Sequence, residues 1–473
     1  MRMWAQSHLC QKAQRVHVVL AAAFALIVLI LSTSQSANAL PAFARKYGLR
    51  CSACHESWPM LNFFGQKFKD NGYQLMNDRD APIWQNPAYW PVTFRITPIW
   101  HRVSTNKVQA DSVPGNGDGA TEQKITSSGF DLSGLDFHTG GTLEKNFSFY
   151  VLPSSDATAS FHFETVMARI DNIKGSPWLN VKLGKFELDN LLSEKRILTL
   201  TGNGGIYQLY HFIPAGDGNV FGQMGDNQLG LEVMGHSAND RTRYSVALLS
   251  SNDGQVGLPY GAESYSTFIT GSQAFDTGKL GVDRVGFYAM AGEAPISWQT
   301  NGGAAIAGSG GNNKGYSREG FVGQFYFGNH ADVTVVTQHG EDNVWFGQGY
   351  GDYIDGIAPN NYIPGVSVLP SGARNPTWNG VLVEPHYVVS PQMILLARYE
   401  TIRMSQQSTP GAPSNLGNIS TYTAGFRYNP FMTSRAGWAY HAEYNWWHQD
   451  GTSPVSATNL TSSEVLLGID FDF

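Results

Sequence analysis

Cysteine is nearly missing from this chain. Three occur in 473 residues, Cys10, Cys51 and Cys54, and the first lies in a segment that reads as removed on export, so a disulfide framework is excluded. Charge is also sparse, at 15% of residues, too little for an ordinary water-soluble surface. Beyond residue 39 there is no apolar run approaching the roughly 18 residues a transmembrane helix needs. An excess of positive charge is absent as well: the formal net charge is -7, which argues against nucleic acid as a partner.

What is present begins with an export signal over residues 1–39. Arg2, Lys12 and Arg15 precede the apolar run VVLAAAFALIVLIL (Val18 to Leu31), and Ala37-Asn38-Ala39 supplies small residues for cleavage. The run is 14 residues, short for a membrane span, and the mature chain is expected to start at Leu40. Cleavage removes three bases and no acid, leaving 28 Lys and Arg against 38 Asp and Glu, a formal charge of -10.

A chain with few charges, 12% aromatic residues and 52 glycines, yet without a membrane-length helix, fits a transmembrane β-barrel, whose lipid face needs apolar side chains only at alternate positions. The C-terminal stretch SSEVLLGIDFDF shows that alternation. Val465, Leu467, Ile469, Phe471 and Phe473 share one face, and Glu464, Gly468, Asp470 and Asp472 the other. AGWAYHAEYNWW, TYTAGFRY and MILLARYE repeat the pattern, with one face suited to lipid and the other to water.

Read along the chain, the alternation predicts sixteen strands near 92–103, 131–143, 146–153, 161–170, 178–187, 227–236, 242–250, 264–275, 282–292, 318–327, 331–338, 378–388, 393–402, 421–428, 436–447 and 463–473. Connections alternate between short (EK, GHSANDR, GNH, VSPQ, NPFMTS) and long (104–130, 188–226, 293–317, 339–377, 403–420, 448–462), with short turns expected on the periplasmic side. The expected fold is therefore all-β, a transmembrane antiparallel barrel of about 16 strands over 89–473, behind a short α-helical segment over 40–88. That segment is too small for a complete core of its own and is expected to lean on the barrel as a plug.

The segment contains GLRCSACHESW. A C-x-x-C-H motif places two sulfurs for the vinyl groups of a haem and an imidazole for its iron, so Cys51 and Cys54 are expected to hold one covalent haem c and His55 to be its proximal ligand. A thiol-disulfide pair would need a βαβ context, and a zinc site would need a second cysteine pair; the sequence offers neither. The stretch after the motif predicts a helix from about Ser57 to Asp70, with Ser57 as cap, Pro59 in the first turn and Asn71-Gly72 at the end. Leu61, Phe64 and Phe68 would form its apolar face, against the porphyrin or in ordinary core. For the sixth iron ligand the first choice is Met76, beyond the Asn-Gly turn. Met60, five residues past His55, would stay on the proximal side; His101, His138 or an open position are the other choices.

An export signal, then PAFARKYGLRCSACHESWPMLNFFGQKFKDNGYQL with one C-x-x-C-H, then a barrel ending in Phe resembles the monohaem cytochrome-porin fusions of the bacterial outer membrane, among them the iron-oxidising outer-membrane cytochromes. The likeness is specific in residues only around Cys51 to Tyr73, and carries over Cys51, Cys54 and His55 alone. It implies electron transfer across the outer membrane between an extracellular donor such as Fe(II) and a periplasmic c-type cytochrome or other soluble electron carrier, in a barrel set among outer-membrane lipids. The reading from a different class is a solute-diffusion porin with a structural or gating haem plug, in which inward-facing Arg398, Arg427, Glu400, Glu443 and His441 would set selectivity. No Ser/His/Asp constellation points to hydrolysis.

Overall fold

The computed structural model describes residues 41–57, 60–76, 80–85, 91–111, 120–155, 160–188, 209, 224, 227–250, 265–295, 313–342, 377–404, 418–432, 436–450 and 459–472. The segment expected to be an export signal, together with Leu40, Pro59 and Phe473, lies outside them.

Short helices come first: α1 (Pro41–Tyr47), α2 (Cys51–Cys54) and α3 (Phe63–Asp70). Between the last two lies a small antiparallel ladder of β1 (His55–Ser57) and β2 (Met60–Leu61). Sixteen strands follow: β3 (Val92–Asp111), β4 (Ala120–Glu144), β5 (Phe147–Ser155), β6 (Phe161–Ile170), β7 (Asn180–Phe186), β8 (Gln228–His236), β9 (Thr242–Ser250) and β10 (Tyr265–Asp276) make the first half. The second half is β11 (Val282–Pro295), β12 (Asn313–Tyr326), β13 (Ala331–Asp342), β14 (Thr377–Ser390), β15 (Met393–Met404), β16 (Ile419–Met432), β17 (Gly437–Gln449) and β18 (Leu460–Asp472). Each pairs antiparallel with the next, and β18 closes on β3, with Val465 opposite Arg102, into one barrel. Closure matters because an open sheet in lipid would leave edge N–H and C=O groups without partners. No described helix is long and apolar enough to cross a membrane.

The expected alternation holds. On β18, Leu467 is exposed while Glu464, Asp470 and Asp472 are buried toward the lumen. On β17, Trp438 and Tyr444 point out while His441, Glu443 and Asn445 point in. Outward aromatic and aliphatic side chains such as Phe161, Leu183 and Phe321 form the belt a membrane barrel needs.

Three expectations are corrected. The connection expected at 104–130 is largely strand: β3 and β4 run on to Asp111 and Ala120, because Thr, Ser and Gln at both faces suit a hairpin wet on both sides. The helix expected from Ser57 begins at Phe63, because Asn62 is the cap that forms, its Oδ1 accepting from the Gly65 N–H at 2.9 Å, while His55–Ser57 is drawn into the ladder with β2. Its end is as expected, at Asn71 and at Gly72 with φ +71°. The lumen is also not uniformly suited to water. Toward the long-loop end Leu249, Phe268, Met290, Trp378 and Ile402 are buried on the inner face. Strict alternation says which residues point inward but not what they meet there.

The N-terminal segment lies inside the barrel at its short-turn end. Ala42 N–H donates to Thr93 Oγ1 at 3.2 Å, Arg45 to the Val92 carbonyl at 2.7 Å, and Lys46 Nζ to Thr142 Oγ1 at 3.0 Å. Its own core is aromatic: Phe43 stacks on Tyr73 at 5.0 Å, Phe68 meets Tyr47 edge-on at 5.3 Å, and Tyr73 reaches Tyr150 of the wall at 5.9 Å. Tyr47 Oη lies 2.9 Å from both the Tyr73 carbonyl and Asp80 Oδ1, which share its one proton, tying the start of the segment to its end.

Candidate functional site

Two wall arginines clamp the C-terminal end of α3. Arg169 donates to the Lys69 and Asp70 carbonyls at 2.8 and 2.9 Å, a cation placed at the negative end of a helix. It is held in turn by Asp171 at 2.8 Å. Arg243 grips the Asp70 carboxylate through Nε at 2.7 Å and NH2 at 3.0 Å, in the two-pronged geometry that makes such pairs specific. A Cβ at Gly72 would lie 2.2 Å from Asp171 Oδ2, so only glycine lets the chain pass so close to the wall.

The other end of α3 holds the cysteine motif. A Cβ at Gly65 would stand 2.0 Å from the Cys54 carbonyl oxygen, so α3 packs backbone to backbone against α2. The Asn62 N–H donates to Cys54 O at 2.9 Å, and Asn62 Nδ2 to Ala53 O at 3.1 Å. Wall arginines thus fix α3, and α3 fixes Cys54 and His55. The sequence motif did not reveal Arg169 and Arg243. Their inward register in strands gave the only signal, and their partners lie about 100 and 173 residues away.

His55 is buried and borders a cavity of about 660 Å³ between the plug and the wall, within the usual range of small-molecule sites. Met60, Phe63 and Phe64 give it an apolar side; Arg284, Asp332, Glu384 and His386 give it a charged one. Glu56 borders it too and accepts from Tyr326 Oη at 2.6 Å; burial pushes its carboxyl up to about 7. His386 has both ring nitrogens engaged, Nδ1 with Asp332 at 2.9 Å and Nε2 with Glu384 at 2.6 Å, so it braces the wall and is not available as a ligand.

Cys54 is half-buried and outside any disulfide, and burial pushes its thiol up to about 11. The side chain of Cys51 lies outside the described atoms, although its backbone opens α2. Met76 is brought elsewhere: it is 54% exposed, with φ +60°, and its sulfur lies 3.8 Å from Asn172 Nδ2, whereas the described thioether bordering the His55 cavity is Met60. His101 faces Glu464 at 3.6 Å and His138 bonds Tyr150 Oη at 2.6 Å, both on the wall. Phe68 is buried in the plug core and Phe64 is exposed, so the apolar stripe divides between core and cavity edge. Among the described residues no group of three or more His, Cys, Asp or Glu could hold a bare metal ion. The chemistry of the site fits an iron porphyrin better: a buried imidazole, an adjacent cysteine, one apolar side and one charged side.

No protein-family model matches the chain, and no curated protein matches it. Solved barrels do. The anion-selective porin from Comamonas acidovorans is 13% identical, over 81% of this chain and 99% of its own, with a TM-score of 0.48. OprB of Pseudomonas putida, in its high-pH structure, is 12% identical over 89% and 99%, with a TM-score of 0.44. The outer membrane channel DcaP of Acinetobacter baumannii is 10% identical over 80% and 97%, with a TM-score of 0.42. At these identities the likeness extends to the barrel fold and no further.

Proposed function

We propose that this chain is an outer-membrane barrel whose periplasmic mouth is closed by a plug bearing one haem c on Cys51, Cys54 and His55, and that it serves electron transfer across that membrane. The observation that carries the reading is the placement of the C-x-x-C-H motif: it lies inside the barrel with His55 on a cavity of about 660 Å³. A haem held there supplies reversible one-electron exchange between Fe(II) and Fe(III). The chain's own residues do the rest. His55 would be the proximal ligand, and Met60, Phe63 and Phe64 would give the haem an apolar side. Arg169 and Arg243 hold α3 in place, so the motif does not swing out of the mouth. The electron donor outside would be Fe(II) or another reductant, and the acceptor a periplasmic c-type cytochrome or similar carrier.

The test is a peroxidase stain of the mature protein on a denaturing gel, followed by a redox-titrated absorbance spectrum. A covalent haem band and reversible reduction support the reading; unstained pure protein would overturn it.

A second reading, a solute-diffusion porin with a structural plug, is favoured by the barrel itself and by the buried ion pairs along its inner wall, such as Arg398–Glu384 and Lys182–Glu232, which would tune a polar path. Planar-bilayer conductance separates the two. Large, steady, solute-selective currents point to the porin, and a closed barrel with reducible haem points to the conduit.

A further inference from the structure

The plug does not bury all of its apolar surface. Phe63 and Phe64 are 40% and 42% exposed, and Trp84 is 54% exposed. All three lie at the short-turn end: Phe63 and Phe64 line the cavity beside Gly328, Asn329 and Pro391, and the turn that carries Trp84 packs on β4 next to the Ala81 carbonyl that accepts from Thr142. They are inside the ring of turns rather than on the outer belt, so lipid does not cover them.

Charge at this mouth runs against that of the chain. The plug's described acids turn inward: Glu56 to Tyr326, Asp70 to Arg243, and Asp80 to Tyr47 and the Leu75 N–H. Arg50 remains exposed and Lys67 half-buried on the same segment. Around them the turns expose Lys145, Lys174 and Lys279 against Glu144 and the half-buried Asp283, which accepts from the Tyr326 N–H at 2.8 Å, while Arg241 and Asp276 pair with each other at 3.3 Å. The described mouth is therefore basic, although the whole chain carries -7.

We infer that this mouth, with Phe63, Phe64 and Trp84 at its centre and lysines at its rim, is the docking face for a soluble protein whose own apolar patch is ringed by acidic residues. The inference rests on the electron-transfer reading for its purpose, since Phe63 and Phe64 also border the His55 cavity and a partner seated on them lies next to the proposed haem. An apolar centre gives contact, and opposite charge at the rim gives fast, salt-sensitive encounter. Such contacts are small and short-lived, as turnover between carriers requires.

The experiment uses the full mature chain in lipid nanodiscs with fully succinylated mitochondrial cytochrome c, an acidic carrier, as the probe. Binding is expected at low salt and should weaken about tenfold or more on raising salt from about 20 to about 200 mM. The double change Lys174→Glu with Lys279→Glu, on exposed turns, should weaken it about tenfold, and so should Phe63→Ser with Phe64→Ser. Absence of binding, or binding that the lysine reversal leaves unchanged, overturns the docking face. Haem content measured on the same samples keeps the two ideas apart: haem-free protein that still binds the probe defeats the electron-transfer reading alone, and haem-loaded protein that does not bind defeats this one alone.

Discussion

The two ends of the barrel lumen are built differently. At the short-turn end the inner wall presents charge, with Arg169, Arg243, Asp332, Glu384 and His386, and meets a folded peptide segment. Toward the long-loop end it presents Leu249, Phe268, Met290, Trp378 and Ile402, and meets Leu209 of the β7–β8 connection. Leu209 is held by its backbone, its N–H donating to Glu400 at 2.6 Å and its carbonyl accepting from Gln338 at 3.1 Å, while its side chain fills the space beside Gly380. A plug made of short helices and irregular backbone brings many N–H and C=O groups into the lumen, and these need polar partners. An apolar lining needs fewer. The short-turn end is thus specified chiefly by hydrogen bonds and ion pairs, and the other chiefly by packing around a few buried polar groups, with Arg318 over the Trp378 ring at 4.4 Å and Glu400 and Gln338 on the Leu209 backbone.

That contrast can be broken or sharpened, beginning with the largest effect. Cys51→Ala with Cys54→Ala should remove all covalent haem while the barrel still folds, read by peroxidase stain and by β-sheet circular dichroism; stained protein would show that the plug is not the haem site. Trp378→Ala should cost the barrel about 3–5 kcal/mol in denaturant unfolding, because a large fully buried side chain leaves a void. Haem content should stay the same, since the loop-end cluster does not touch the motif.

Arg243→Ala takes from the Asp70 carboxylate its two-pronged cation and leaves the Gln66 amide at 2.7 Å, and should cost about 3 kcal/mol of plug seating. The readouts are bilayer conductance and proteolysis of residues 41–85. If the variant instead unfolds the whole barrel, the two ends are not separable. Gly72→Ala requires a side chain at φ +71° against Asp171 and should cost about 1–3 kcal/mol by the same readouts.

The smallest effect is one of pH. Burial lowers the Lys46 ammonium to about 8 from an ordinary 10.5. Between those values the unfolded segment binds more protons than the seated one, so seating should strengthen as pH rises from about 8 to about 10.5. Lys46→Met should abolish that slope in a proteolysis series.

Much of this was legible in one dimension. Period-two alternation located all sixteen barrel strands, several to the residue, as with Phe161–Ile170 and Thr242–Ser250. It failed at β3 and β4, where polar residues on both faces carry the hairpin beyond the apolar belt. In the plug, Asn71-Gly72 ended α3 as expected, but Ser57 did not begin it, because Asn62 cap bonds and a two-strand ladder outcompeted a local helix signal. Of the site, Cys51, Cys54 and His55 stood out by spacing alone. The residues that hold them did not: an inward arginine on a strand looks the same whether it faces water, another wall charge or Asp70.

By itself, the sequence determined which residues face lipid, how many strands the wall has, and that a C-x-x-C-H motif precedes it, since each is set by spacing within a few residues. Only the tertiary structure decided that the motif lies inside the wall, that Met60 and not Met76 shares its cavity, and that an apolar cluster gathers on the inner wall toward the long-loop end. Those outcomes depend on contacts between segments far apart in the chain, where geometry and burial decide which of many possible partners a side chain meets.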